Sequence, residues 1–401
     1  MPLLRRSVGI ALRIVLAGAS CLGIWNSWEL ARADYLFKKD TEESIRSAIC
    51  LAPDGWEYYM RLAQFDRAHA RQLLATSLLL DRYNAQADIE LGLQYEAEGD
   101  FDRAEKSLLA AFEVDDTYLP RWSLANYYYR RGNMPAFWQW ARAAAAMPAD
   151  DVGPLFQLCW RVSPDPESIT RAIVNDKPEL IRQYIGFLLA KGQLNAVAAV
   201  AARLLQSGQP ETDRPLLLNV INRLVETDNV AAANALWRLL IERRWVIADT
   251  TAPNNAEFAR EPLPVSFDWS LPEYTGLHSW PGYSGLETEF AGNQPEECTV
   301  AEQAIALDPG SYTMNYAYRT SDIGPGTGIR WQVVDAKSNT VLAESPDLSS
   351  DEVQHSALTF AVPPGSYLVR LRLEYRRSLG TARVSGTLAV LSTQIQAVPE
   401  S

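Results

Sequence analysis

The residues that titrate, attack or bind metal are few in this chain, and their spacing is poor for catalysis. There are three histidines in 401 residues, His69, His278 and His355, far apart in sequence. No H-E-x-x-H or comparable ligand spacing is present. Cys21, Cys50, Cys159 and Cys298 are scattered without C-x-x-C spacing. They suit neither a zinc site nor a disulfide framework. The acidic pairs Asp115-Asp116, Asp150-Asp151 and Glu296-Glu297 stand in turn-like sequence and read as solvated faces. The chain has no G-x-S-x-G, no P-loop and no G-x-G-x-x-G. Gly324-Pro-Gly326-Thr-Gly328 is rich in glycine, but no helix follows it, so it reads as a hairpin loop. No catalytic residue, cofactor-binding residue or metal ligand is therefore assigned, and no cofactor is expected.

What remains is binding chemistry, carried by aromatic rings. Tyr127-Tyr128-Tyr129 and Phe137-Trp138-Gln-Trp140 concentrate aromatic mass in one stretch. At helical spacing only about half of these rings can face a core. Tyr128, Trp138 and Trp140 are the candidates for contact with a partner, Tyr128 foremost. A second group, Trp269, Trp280 and Tyr283, lies in a region rich in Pro and Gly. An apolar ring face suits the C–H face of a pyranose, so these three are the candidates for sugar contact. Trp331 lies inside a strand-like run and reads as core.

The elements that would position the first group are helical hairpins. Asp88-x2-Leu91-Gly92-x2-Tyr95, then Gly99, Ala104, Leu108 and Ala111, form one unit. Trp122-x2-Ala125-Asn126-x2-Tyr129, then Gly132, Phe137, Ala141 and Ala144, form the next. Small residues allow close helix approach and large ones fill the space between hairpins. The string Phe65-Asp-Arg-Ala68 recurs as Phe101-Asp-Arg-Ala104 and reads as a further sign of internal repetition. This pattern resembles the tetratricopeptide repeat (TPR), with its W-x2-L-G-x2-Y signature and its period of 34. The resemblance implies a solenoid of stacked hairpins over residues 34–248, whose job is to hold a protein partner through its concave groove.

Residues 249–264 lose the helical period and carry Pro253, Asn254, Asn255, Pro262 and Pro264. They read as a linker or the opening of another domain. From residue 265 to 401 the period becomes two. Runs at 302–307, 311–319, 328–334, 356–362, 367–375 and 382–392 alternate apolar and polar residues between Pro/Gly turns. This predicts an antiparallel sandwich. Asn255-Ala-Glu-Phe258 and Asp308-Pro-Gly-Ser-Tyr312, with the strand ending at Arg319, resemble carbohydrate-binding, galactose-binding-like jelly rolls. The resemblance implies a glycan or polysaccharide ligand. No calcium ligands match, so no ion is expected.

Residues 1–33 read as a targeting segment. Arg5-Arg6 precede the apolar run Val8–Trp28, and Trp25 and Trp28 suit a membrane interface. Its 21 residues are long enough to cross a bilayer as a signal anchor. The alternative is a signal peptide cleaved after Ala31-Arg32-Ala33. The positive charge before the run would place the body outside the cytoplasm, single-pass on a bacterial inner membrane or, after cleavage, secreted. A net charge of −12 argues against a large basic surface for nucleic acid.

The sequence thus predicts a multidomain chain, an all-α TPR-like solenoid followed by an all-β jelly-roll sandwich behind an N-terminal membrane segment. The expected role is a non-catalytic envelope scaffold or adaptor, and by analogy the setting is exopolysaccharide assembly or export. The alternative is a glycan-active enzyme whose site sequence motifs do not reveal.

Overall fold

A computed structural model of the chain describes residues 2–149, 151–249 and 251–399, with only the backbone for 2–15, 18 and 19. The chain forms two compact units, residues 1–173 and 174–401.

The first unit is helical. Its hairpins pair α1 (Pro2–Phe37) with α2 (Glu42–Leu51), α3 (Trp56–Phe65) with α4 (Ala70–Leu80), α5 (Ala85–Ala97) with α6 (Phe101–Val114), and α7 (Tyr118–Arg130) with α8 (Met134–Ala145). A shorter unit follows, α9 (Gly153–Val162) and α10 (Pro166–Ile169). The repeat works through caps and turns. The side chains of Asn84, Asp100 and Asn133 accept hydrogen bonds from the backbone N–H of Ala87, Arg103 and Ala136, satisfying donors that an open helix end leaves free. The turns between paired helices need a left-handed residue, supplied by Gly99 (φ 82°) and Gly132 (φ 70°). The second helix of each pair buries one stripe at i, i+4, i+7: Ala70, Leu74 and Ser77, then Ala104, Leu108 and Ala111, then Phe137, Ala141 and Ala144. These sets are 34 and then 33 residues apart. That spacing corrects one sequence argument. Phe65 ends a first helix while Phe101 begins a second one, so the identical Phe-Asp-Arg-Ala strings, 36 residues apart, occupy different places in the hairpin.

The N-terminal helix runs unbroken into this unit. Ala33 is fully buried with Ile45, Ala48, Tyr58 and Leu62, and the Phe37 and Tyr58 rings lie 4.9 Å apart. Further back, Leu22, Ile24, Trp25, Trp28 and Leu30 are exposed. No helix among the described residues is long and apolar enough to cross a membrane. Within the apolar run Val8–Trp28 expected to do so, the side chains of 8–15, 18 and 19 lie outside the described residues.

The second unit holds four more helices and the sandwich. The helices are α11 (Pro178–Ala190), α12 (Leu194–Ser207), α13 (Pro210–Glu226) and α14 (Val230–Glu242). Buried Asp213 takes Arg182 as its ion-pair partner and caps the helix start by accepting from Gln209 N at 2.7 Å. Nine strands follow: β1 (Leu277–Gly282), β2 (Gly285–Ala291), β3 (Glu297–Ala306), β4 (Gly310–Ser321), β5 (Ile329–Asp335), β6 (Val341–Glu344), β7 (Gln354–Val362), β8 (Leu368–Arg376) and β9 (Ser385–Ala397). They build two antiparallel sheets, ordered β1-β2-β9-β4-β7 and β3-β8-β5-β6. Between the sheets lie Trp269, Trp331, Phe258, Phe290, Met314, Tyr316 and Tyr375. Alternation along the strands sends Phe290, Met314, Tyr316, Trp331 and Tyr375 inward, while Phe258 and Trp269 enter from the stretch before β1.

The last helix ends at Glu242 and the first strand begins at Leu277, an interval that contains residues 249–264, yet the compact units divide earlier, after Ile173. The physical reason is a tie between helices and sandwich. Asn222 of α13 donates to Pro264 O at 3.1 Å and accepts from Ser266 N and Oγ at 2.7 and 2.9 Å. Trp237 of α14 lies 6.2 Å from Phe267, ring centre to ring centre. Within 249–264, Asn254, Asn255 and Phe258 are buried, and Gln303 makes two hydrogen bonds to the Asn254 backbone. Gly324–Gly328 is also corrected: it joins β4 of one sheet to β5 of the other and is not a hairpin. Gly328 is obligatory there, since its φ is 86° and a Cβ would come within 1.8 Å of Arg376 O.

Candidate functional sites

The aromatic cluster of the helical unit is mostly packed. Tyr128 is only 9 % exposed, and its hydroxyl donates to Glu105 Oε1 at 2.5 Å. Burial, and then the bond to Glu105, push its phenol well above the usual range. Tyr127 donates to Phe101 O at 2.9 Å. Trp138 stands edge-on to fully buried Phe137 at 5.0 Å, and Trp140 edge-on to Phe112 at 4.9 Å. Tyr128 is thus not an open groove residue: a buried hydroxyl needs a partner, and Glu105 of the preceding helix supplies it. Both tryptophans remain half-buried, with one edge against the neighbouring rings. The first helices of successive hairpins are linked instead by charge. Arg130 Nε and Nη2 grip Glu96 Oε1 and Oε2 at 2.8 and 2.6 Å, in the bidentate geometry that fixes orientation. On α5, Glu90 is half-buried and Gln86 and Leu93 are exposed, at i, i+4, i+7 on one face. Sequence reasoning passed over these three because none is aromatic.

In the sandwich the three sugar-contact candidates separate. Trp269 is 2 % exposed, packs against Phe258 and Trp331, and donates Nε1–H to Asn255 O at 3.1 Å. It is a core residue, and the expectation of sugar contact fails for it. Trp331 is core, as its strand position implied. Tyr283 is fully exposed at the β1–β2 turn. Trp280 lies on the outward face of the five-stranded sheet, half-buried, with the His278 ring stacked on it at 5.0 Å.

The register shows what surrounds Trp280. It pairs with Glu287, which pairs with Ala389, which pairs with Arg319. The next outward row is His278, Glu289, Thr387 and Ser321. Inward neighbours Leu286, Phe290, Leu388 and Val390 are core, which fixes both rows on the solvent side. Small Ala389 leaves a trough between Glu287 and Arg319. The cleft there has a volume of about 430 Å³, with Trp280, Glu287, Arg319, Asp351 and Thr387 in its walls. A second cleft of about 890 Å³ lies further along the same face, with Asn315, His355, Gln394 and Arg260 among its lining residues. An aromatic edge beside carboxylate, guanidinium, amide and hydroxyl groups can stack a ring and exchange hydrogen bonds with hydroxyls. Glu287 and Asp351 carry no signal in sequence: β1 and β2 hold Pro281 and glycines and do not read as strands, and Asp351 lies in the irregular stretch between β6 and β7. Among the polar wall residues only Arg319, noted at the end of its alternating run, carried a signal.

Other reactive groups are accounted for by structure. Cys159 and Cys298 are buried free thiols, and burial pushes them up to about 12 and about 11, which makes them inert. Asp116 pairs with Arg121, Glu296 with Arg377 at 3.0 Å, and Glu297 with Arg376 at 3.6 Å. Asp150 lies outside the described residues. Among the described residues no group of three His, Cys, Asp or Glu side chains is placed to hold a metal ion.

The architecture is a TPR-like helical repeat region followed by an antiparallel β-sandwich. No protein family matches the sequence, and no curated protein matches it. Among solved structures, a family 4 carbohydrate-binding module is similar over 37 % of this chain and 100 % of its own, at 15 % identity and a TM-score of 0.29. The protein pilF of Pseudomonas aeruginosa is similar over 47 % of this chain and 90 % of its own, at 16 % identity and a TM-score of 0.26. YrrB, described as a TPR protein with an unusual peptide-binding site, is similar over 51 % of this chain and 94 % of its own, at 14 % identity and a TM-score of 0.23.

Proposed function

We propose that this protein is a non-catalytic scaffold of a bacterial envelope that holds a protein partner on its helical repeats and a glycan on its sandwich. The observation that carries the glycan half is the outward row Trp280–Glu287–Ala389–Arg319 beside a cleft of about 430 Å³. A cleft of this size, walled by one ring and several hydrogen-bonding groups, suits a small stretch of sugar chain. The protein half is supported by the hairpin stack itself, since repeat arrays present extended surfaces suited to holding other chains. An N-terminal tether is part of the proposal, supported by the exposed apolar residues Leu22, Ile24, Trp25 and Trp28 on α1. Burial of Ala33 favours a retained anchor, because cleavage after it would take a core residue from the first hairpin. Polysaccharide assembly or export is the setting in which one chain would need all three contacts.

The decisive experiment is electrophoresis of the purified protein through gels containing soluble polysaccharides. Retardation that is lost in Trp280→Ala, at an unchanged melting temperature, supports the glycan role. Equal mobility with and without every polysaccharide removes it. The mass of the protein recovered from membranes tests the tether, since an N-terminus at Asp34 would exclude an anchor.

A further inference from the structure

The outward sheet face carries a charge imbalance. Glu287, Glu289 and Asp351 stand there against one guanidinium, Arg319. Among the described residues none of these four side chains has an ion-pair or hydrogen-bond partner. Most surface charges elsewhere in the sandwich are paired: Arg330 with Asp347, Arg372 with Glu302, Arg377 with Glu296. Arg260, at the second cleft, is held by Asp249 at 3.1 Å, while Glu257 beside it is exposed. The free charge on this face is therefore negative, and so is the whole chain at −12.

Resting on the glycan reading above, we infer that this face selects glycans without acidic groups and holds most tightly those with free amino groups. The ring of Trp280 recognises any pyranose C–H face, so it does not discriminate. The carboxylates do. They accept hydrogen bonds from sugar hydroxyls, and more strongly from an ammonium group. A uronate laid along the Trp280 row would meet Glu287 and Glu289 as like charges, with Arg319 alone to receive it.

The test uses the full chain in detergent and three soluble oligomers: chitosan, a neutral β-glucan and alginate. At an ionic strength of about 50 mM, chitosan should bind roughly fivefold or more tighter than the glucan, and alginate roughly tenfold more weakly. Salt on the order of 0.5 M should narrow both gaps. The double variant Glu287→Gln, Glu289→Gln should bring the chitosan-to-glucan affinity ratio to about one, which is read as a ratio and so is independent of any change in glucan binding itself. Alginate binding as tightly as the glucan overturns the charge selection and leaves the glycan reading standing. Failure of all three oligomers to bind overturns both. A chitosan preference that survives in the Glu287→Gln, Glu289→Gln variant is diffuse attraction to an acidic protein and also overturns the inference.

Discussion

The helical hairpins and the sandwich use their aromatic residues in different ways. In the hairpins, Tyr127, Tyr128, Phe137, Trp138 and Trp140 each touch a ring or backbone group of a neighbour. In the sandwich, Trp331 and Trp269 are inside while Trp280 and Tyr283 are outside. The cause is the number of covered faces. A helix in a stack of hairpins is packed by its own partner and by hairpins on either side, so most of its circumference is interior. A strand in a two-layer sandwich has one covered face, and parity decides which side chain meets solvent. An aromatic residue in the first setting says little about function; in the second, its position along the strand says much.

The largest effects that sharpen this contrast come from residues inside. Trp269→Ala and Phe137→Ala should each cost about 3–5 kcal/mol of stability. Chemical denaturation followed by circular dichroism would measure both. A loss under about 1 kcal/mol for Trp269→Ala would return that residue to the sugar-contact candidates.

Close approach within a hairpin gives the next effect. A Cβ at Gly92 would lie 2.9 Å from Leu108 Cγ and 3.2 Å from Ala104 O. The gain in helix propensity from Gly to Ala is about 1 kcal/mol, and the overpacking should outweigh it. Gly92→Ala should therefore lower stability by about 2 kcal/mol net. A stabilised variant would show that α5 and α6 are less tightly apposed than Leu91, Leu108 and Ala111 make them.

Asp88 tests the hairpins from the polar side. It stands where the repeat pattern has a large apolar residue, it is buried, and desolvation raises its carboxyl to about 6. Below about pH 4 the group is protonated in both the folded and the unfolded chain, so it carries no penalty. Between pH 4 and 6 the unfolded chain ionises first, and stability falls as pH rises. Asp88→Asn should remove that slope and stabilise the protein at pH 7 by about 1 kcal/mol. Melts at pH 4 and pH 7 would show it, and equal differences at both values would sink the assignment.

Much of the fold was legible. The hairpin register at Leu91, Gly92, Ala104 and Leu108, and six of the strands, follow from period alone. The β1–β2 hairpin was not, since Pro281, Gly282 and Gly285 mask a strand pair whose ladder tolerates them at an edge. That loss hid the site: Trp280 was visible as a ring, but Glu287 and Arg319 become its neighbours only through pairing across β2, β9 and β4. Of the three rings named for partner contact, Tyr128 is buried, and Trp138 and Trp140 are half-buried, for the reason given above. Helical spacing leaves half of them free of their own core, and the adjacent hairpins then cover much of that half.

The smallest expected effect on stability carries the most weight for function. Trp280 is on the solvent side of an edge strand, and its inward neighbours Leu277 and Ser279 hold the strand to the sandwich without it. Ser279 Oγ meets Thr288 Oγ1 at 3.0 Å across the same pair, and the ladder to β2 is made by backbone. Removal of the ring opens no cavity in the core, because Trp280 lies on the solvent side of the sheet, half-buried, with the His278 ring stacked on it. Trp280→Ala should then change stability by less than about 0.5 kcal/mol, in contrast to the 3–5 kcal/mol of Trp269→Ala. Denaturant titrations of the two variants side by side measure the difference. A residue that costs nothing to fold and is still needed to retain a polysaccharide is a binding residue. A large loss of stability in Trp280→Ala would instead make the stacked His278–Trp280 pair a brace for the sheet edge, and the outward face would lose its only aromatic platform within the strand rows.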